Sequence, residues 1–283
     1  MLRKLYEDGY AQYLDSAYRL ALDMSRSCYP TYADGLKTRQ DFDEAAKRPF
    51  KRDNYTMLLY EQEGKALGLI QYYVLDEDKY VQPDIFCIEQ GYGMAVEEFA
   101  EYLHRELPGY TLHFGVSEKN RAAVEALEGL GASRDEVSLV GVMRFEEYSP
   151  LPETERVVPV TRENFGAFAE LHSQWDGQMY WDNAHLLEAL DDWHIYYVQK
   201  EGRALAAVYY RYVDGSMEIF GIDFEGDRFD EGCFRALMVR ALNESKRDGM
   251  KDMTFFHDEE SRPAVNSVGI RTIDTYFGYS YKL

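Results

Sequence analysis

Glu63-Gly-Lys-Ala-Leu67 returns as Glu201-Gly-Arg-Ala-Leu205, 138 residues further on. Each copy lies between two apolar runs, 56–60 and 66–75 around the first, 195–200 and 204–213 around the second. A Glu-Gly pair between such runs predicts a β-hairpin, because glycine supplies the positive φ that a tight turn needs. A second pair, Asn120-Arg-Ala-Ala-Val124 and Ser261-Arg-Pro-Ala-Val265, follows in the same order at a separation of 141. Two matches at nearly equal spacing predict one unit occurring twice. The alternative is a single domain whose repeat is accidental.

The flanking sequence supports the duplication. In the first half, residues 5–24 read as helical, and 56–60, 66–75 and 81–88 as strands. Val96, Phe99, Leu103 and Leu107 then recur at helical steps, and 110–116, 121–130 and 137–145 read as strand, short helix and closing strand. The second half gives strand 157–160, helix 162–173, the hairpin, strand 217–224, and a helix with Phe234, Leu237, Met238, Ala241 and Leu242 on one face. Strand 252–256, a helical turn at 263–268 and a Tyr-rich strand at 271–281 complete it. The seam falls in Tyr148-Ser-Pro-Leu-Pro-Glu-Thr-Glu155, polar and holding two of the 8 prolines, so the expected domains are 1–148 and 149–283. An antiparallel opening that passes into strand–helix–strand predicts an α+β fold, a mixed sheet with helices on both faces.

The 283 residues are 46% hydrophobic and 15% aromatic, enough for packed cores and against wholesale disorder. Against 31 Lys and Arg stand 51 Asp and Glu, a net charge of −20. Such a surface repels phosphate backbones and anionic membranes; it suits small cationic substrates, or serves solubility alone. Cys28, Cys87 and Cys233 have no pairing or metal-finger spacing, which points to a reducing, cytoplasmic setting. Neither a signal peptide nor an apolar run of about 18 residues is found. Phosphate-loop, zinc-protease, serine-hydrolase and dinucleotide fingerprints are missing, and no metal site is expected.

The order of elements, with these residues, resembles the GNAT (N-acetyltransferase) superfamily. In Asn120-Arg-Ala-Ala-Val-Glu-Ala-Leu-Glu-Gly-Leu-Gly-Ala132, Asn120, Ala123 and Gly131 match the family pattern, while Leu127 and Ala132 replace its tyrosine and phenylalanine. Gln90-Gly91-Tyr92-Gly93-Met94 resembles the tail of the family's glycine loop, and Glu231-Gly232-Cys233-Phe234 stands at the same place in the second half. The resemblance covers both halves. It implies acetyl transfer from acetyl-CoA to an amine of a small molecule or peptide, or, where the motifs have decayed, an inactive module that binds a ligand or partner protein. It also implies coenzyme contacts from Gly91, Tyr92, Gly93, Asn120, Gly232 and Cys233, since a glycine loop before a helix brings N–H groups and the positive helix end to a diphosphate. Asn120 reads equally as an N-cap, and the cysteines as buried thiols. Glu218, on the strand expected beside the thioester, and His257, at the end of the next strand, are the candidate bases. Tyr276, Tyr279 or Tyr281 could replace the missing acid, and Trp175, Tyr180 and Trp181 could form an acceptor wall. Asp230 and Glu231 stand where the diphosphate would arrive and oppose it. An enzyme needs an open gap between its splayed central strands; a binding module can fill it. The sequence leaves undecided which half would hold the coenzyme, and leaves the oligomeric state unread.

Overall fold

The computed structural model describes residues 1–177 and 181–283. In chain order the elements are β1 (Leu2–Lys4), α1 (Glu7–Tyr10), α2 (Leu14–Ala21), α3 (Arg39–Ala46), β2 (Tyr55–Gln62), β3 (Lys65–Leu75), β4 (Tyr80–Ile88), α4 (Tyr92–Glu106), β5 (Thr111–Ser117), α5 (Arg121–Gly129) and β6 (Ser133–Arg144). They continue with β7 (Val157–Pro159), α6 (Phe165–His172), α7 (Asn183–Glu188), β8 (His194–Lys200), β9 (Arg203–Val213), β10 (Ser216–Phe224), α8 (Glu231–Arg247), β11 (Asp252–His257), α9 (Arg262–Ser267) and β12 (Arg271–Lys282).

Two compact units form, Met1–Ser138 with Asp274–Leu283, and Leu139–Ile273. In each, three antiparallel strands lead into one parallel pair: β2–β3–β4 then β5, and β8–β9–β10 then β11. Both sequence repeats occupy equivalent places. Glu63 and Gly64 turn with φ of 51° and 77°, Glu201 and Gly202 with 51° and 82°. Two consecutive positive φ values give the hairpin turn whose twist matches its strands. The register then slips at Tyr60/Glu61 in one hairpin and at Val198/Gln199 in the other, again 138 residues apart.

Helices cover both faces of each sheet. In the first unit Val96, Phe99 and Leu103 of α4 and Ala123 and Leu127 of α5 pack on Phe86 and Phe114, while Leu14 and Ala17 of α2 and Phe42 of α3 pack on Leu69 and Ile85 from the other side. In the second, α8 and α9 cover Val208 and Met253, and Phe165 and Phe168 of α6 with Leu186 of α7 cover Tyr209. The helical stripe expected in α8 is buried throughout. Residues 5–24 are not one helix: they break into α1, a 3₁₀ turn and α2.

The closing strands correct the expected division at 148/149. The strand read as closing the first half sends Leu139–Arg144 into the second unit, where it pairs antiparallel with β11. The first unit is closed by the C-terminal strand, with Tyr276↔Ser117 through Lys282↔Thr111. Burial explains the exchange. Tyr279 and Leu283 belong to the core of Phe86 and Phe114, and Met143 and Phe145 to the core of Phe234 and Leu237. Each such side chain is worth about 1.5–3 kcal/mol of apolar burial.

Candidate functional site

In both units the parallel pair is joined only at its start. β4 and β5 pair at Tyr80↔Thr111 and Val81↔Leu112, and β10 and β11 from Ser216↔Asp252 to Glu218↔Thr254; beyond that the ladders end. Each diverging strand carries one extra residue against its antiparallel neighbour: Asp84 in β4 and Phe220 in β10. A bulge bends and twists its strand, which helps to part it from the next.

The two gaps are furnished differently. In the first unit residues 26–29 run into the gap. Cys28 N donates to the Phe86 carbonyl at 3.1 Å, Ile88 N to the Arg26 carbonyl at 3.0 Å, and Tyr29 N to the Gly115 carbonyl at 3.1 Å. This segment satisfies polar groups of both strands, and burial pushes the Cys28 thiol well up. By the bulge alignment Ile222 O and Phe224 N of β10 correspond to Phe86 O and Ile88 N. Among the described residues no main-chain group bonds either of them across the second gap.

The expected coenzyme contacts of the first unit have other work. Asn120 is buried: its Oδ1 accepts from Ala123 N at 3.2 Å as the N-cap of α5, and its Nδ2 donates to the Ser27 carbonyl at 3.1 Å, fastening the inserted segment. The buried Tyr92 hydroxyl donates to the Phe86 carbonyl at 3.2 Å. A Cβ on Gly93 would lie 3.2 Å from the Ala122 carbonyl, so this glycine serves the close approach of α4 to α5. Gly91 takes φ 69° as the residue before α4, which has neither a side-chain cap nor an acid in its first turn.

At α8 the situation is reversed. Asp230 Oδ1 accepts from Cys233 N at 2.7 Å and approaches the position a Gly232 Cβ would take to 3.3 Å. The Cys233 amide bond holds the Asp230 carboxyl below its ordinary value. The helix end that would meet a diphosphate therefore holds the chain's own anion. Burial raises the Cys233 thiol to about 11, leaving it protonated.

Glu218 and His257 are not brought together. Glu218 lies opposite Arg211 in the ladder, on the face covered by α6 and α7; Met217 and Ile219, its chain neighbours, belong to the core under α8. His257 lies on that α8 side, its ring 5.7 Å from Phe255. Its Nδ1 is 2.9 Å from the Asp258 carbonyl, an acceptor only, so Nδ1 carries the proton and Nε2 accepts from the Thr272 hydroxyl at 3.2 Å. Burial lowers its pKa and keeps it neutral. Tyr276 and Tyr279, buried, and Tyr281, half-buried, all belong to the sheet of the first unit. Of the expected aromatic wall, Tyr180 lies outside the described residues. Trp175 Nε1 donates to Asp223 Oδ1 at 2.9 Å, and Trp181 packs edge-on to Trp193 at 4.9 Å.

Three features escaped the sequence. Residues 26–29 carry no periodicity or motif. His172 looks like one more residue of a helix, yet it is fully buried, with Nδ1 2.8 Å from Asp223 Oδ2 and Nε2 2.8 Å from the Trp181 carbonyl. Both partners are acceptors, which suits the doubly protonated ring. Burial opposes that charge, but the two bonds outweigh it and raise the pKa. Arg211 had a legible signal: a cation in an otherwise apolar and aromatic strand demands a partner.

No protein-family model and no curated protein sequence matches the chain. Solved structures do. A GCN5-related N-acetyltransferase from Sphaerobacter thermophilus superposes with a TM-score of 0.65 at 12% identity, over 100% of this chain and 95% of the other. A tandem GNAT protein from the clavulanic acid biosynthesis pathway gives 0.57 at 14%, over 100% and 98%. The glucosamine N-acetyltransferase region of a fungal multi-domain β-N-acetylglucosaminidase gives 0.60 at 14%, over 99% of this chain and 38% of that one. The chain has the GNAT fold in tandem form: a mixed sheet with helices on both faces in each unit.

Proposed function

We propose that the protein transfers an acetyl group from acetyl-CoA to an amine of a small molecule or peptide, and that the second unit alone does so. The observation that supports this is the β10 edge: among the described residues, Ile222 O and Phe224 N are without the main-chain partners that residues 26–29 give to their counterparts in the first unit. An extended amide-bearing arm fits such an edge as a strand would. Glu218, at the point where β10 and β11 part, is the candidate base that takes the proton of the attacking ammonium. N–H groups of the β10 edge would stabilise the oxyanion as the C–N bond forms and the C–S bond breaks. Gly232 and Cys233 at the start of α8 are the candidate phosphate contacts, with Asp230 as an obstacle at that end. Gly91, Tyr92, Gly93 and Asn120 we assign to packing and capping. Three buried free thiols fit a reducing cytoplasm, and no described helix is long and apolar enough to cross a membrane.

Calorimetric titration of the full chain with acetyl-CoA, with free coenzyme A as control, tests the reading. Micromolar binding with a stoichiometry near one, followed by acetylation in an amine screen, is expected. Asp230 on α8 favours a second reading, a non-catalytic GNAT-like module. Absence of binding at millimolar acetyl-CoA refutes the enzyme and leaves the module.

A further inference from the structure

Arg211 is half-buried in β9 with three aromatic rings around its guanidinium: Phe220 at 4.8 Å, Trp181 at 5.6 Å and Trp193 at 5.7 Å from Cζ to ring centroid. Its Nε is buried and has no hydrogen-bond partner among the described residues. Glu218 stands directly opposite it in the ladder and on the same face, yet no ion pair joins the two. Aromatic faces stabilise a guanidinium from above and below, but they leave the in-plane N–H donors unused. A half-dry cation without a counter-ion is costly, and the cost is removed when a carboxylate docks on the planar fork.

The first unit supplies an internal control. Its bulge residue at the same position is Asp84, and there an arginine also comes to the bulge: Arg48 Nη1 donates to Asp84 Oδ2 at 2.9 Å, with Gln71 Nε2 on the same oxygen at 3.1 Å. In the second unit the bulge residue is Phe220, which can stack on a guanidinium but cannot accept from it. Both bulges hold an arginine; only one provides its carboxylate.

We propose that Arg211 is the anion-binding residue of the second unit's acceptor face, and that the acceptor is an amine that also carries a carboxylate: an amino acid or the end of a peptide. This deepens the proposed function and rests on its reading of the second unit. Arg211 takes the carboxylate bidentately, and Glu218, across the ladder, lies on the side where the ammonium arrives. Trp181 and Trp193 beside Arg211 report binding through their fluorescence.

The test titrates the full chain, without coenzyme, with phenylalanine beside phenethylamine, lysine beside cadaverine, and inorganic phosphate. A charged hydrogen-bonded contact predicts that in at least one pair the carboxylate-bearing member binds about 10- to 100-fold more tightly. Arg211→Gln should erase that preference, and Arg211→Lys should keep part of it. Phe220→Asp, which supplies the carboxylate that Asp84 supplies in the first unit, should erase it while leaving Arg211 in place; melting curves check that each variant is folded. Equal binding within every pair, no binding of any carboxylate-bearing amine up to about 10 mM, or an unchanged preference in Arg211→Gln overturns the proposal. So does phosphate competing as well as the amino acid, which would mean a simple anion site. Because no coenzyme is present, loss of acetyl-CoA binding with the preference retained refutes the acetyl transfer and leaves Arg211 as assigned.

Discussion

Replacing Asp230 by Asn should tighten acetyl-CoA binding. The carboxylate caps α8 through Cys233 N at 2.7 Å, in the first turn where a diphosphate would be received. Asn caps as well as Asp, so the helix should persist and the variant isolates the charge. Like charges about 6 Å apart repel by roughly 0.7–2.8 kcal/mol for effective dielectric constants of about 80 to 20. That is about 3- to 100-fold in affinity. Calorimetry at low salt should therefore show at least a threefold gain, and the gain should shrink as added salt screens the site. Asp230→Ala also removes the charge but loses the cap, at about 0.5–2 kcal/mol of stability. It should bind acetyl-CoA more tightly too, although it melts earlier. An Asn variant that melts normally and binds no better would refute the placement of the diphosphate at α8.

Asn120→Ala should lower the melting temperature by several degrees, since the α5 cap and the Ser27 bond are worth about 1–3 kcal/mol together, and should leave acetyl-CoA affinity unchanged; reduced affinity with normal melting would return Asn120 to the coenzyme. A fragment of residues 1–148, cut at the seam read from sequence, lacks the strand that closes its sheet and should show no cooperative melting by circular dichroism. His172 has a raised pKa in the fold, so its ionic bonds stabilise fully below the unfolded value of about 6.5 and fade as pH rises through the folded one. The gap in melting temperature between the native protein and His172→Gln should thus be wide at pH 6 and narrow at pH 9; Asp223, Asp176, the Trp181 carbonyl and the Trp175 indole share its surroundings, and an equal gap at both pH values would mean a packing role only. Glu244 accepts from the Tyr196 and Tyr210 hydroxyls, and these bonds with nearby His194 outweigh burial and hold its carboxyl at about 2. The destabilisation caused by Glu244→Gln should be present at neutral pH and vanish as pH falls toward 2; a pH-independent effect would exclude the ionised carboxylate as its source.

What was legible in the sequence was local. The Glu-Gly turns, the stripe of α8 and the Asn120 cap are each set by neighbours within a few positions, where period and turn chemistry act directly. The exchanged closing strands were not legible. Residues 137–145 and 271–281 both carry apolar side chains at strand spacing, and each could cover either core; which sheet takes which strand depends on pairing with residues more than 100 positions away. The inserted segment escaped for the same reason. Arg26-Ser-Cys-Tyr29 bonds to the strands through its main chain, and main-chain hydrogen bonding leaves no mark on side-chain identity.

The two units differ at the strand gap and at the helix end, the two places where the proposed coenzyme would lie. The first keeps an uncapped helix end at Gly91 and Tyr92 but has closed its strand gap with main chain, which a ligand cannot displace without breaking three hydrogen bonds. The second keeps the β10 edge but has placed an aspartate at the helix end, a side chain that one rotamer change removes. These obstacles are not equal. Undoing the first means pulling the buried Ser27 and Cys28 and the half-buried Tyr29 out of their packing; undoing the second costs one cap, about 1 kcal/mol. A coenzyme with a diphosphate and an extended arm would therefore enter the second unit at a modest penalty and the first only at the expense of its fold. The acceptor proposed above would bind the same unit, because among the described residues Arg211 has no internal carboxylate such as Arg48 has in the first.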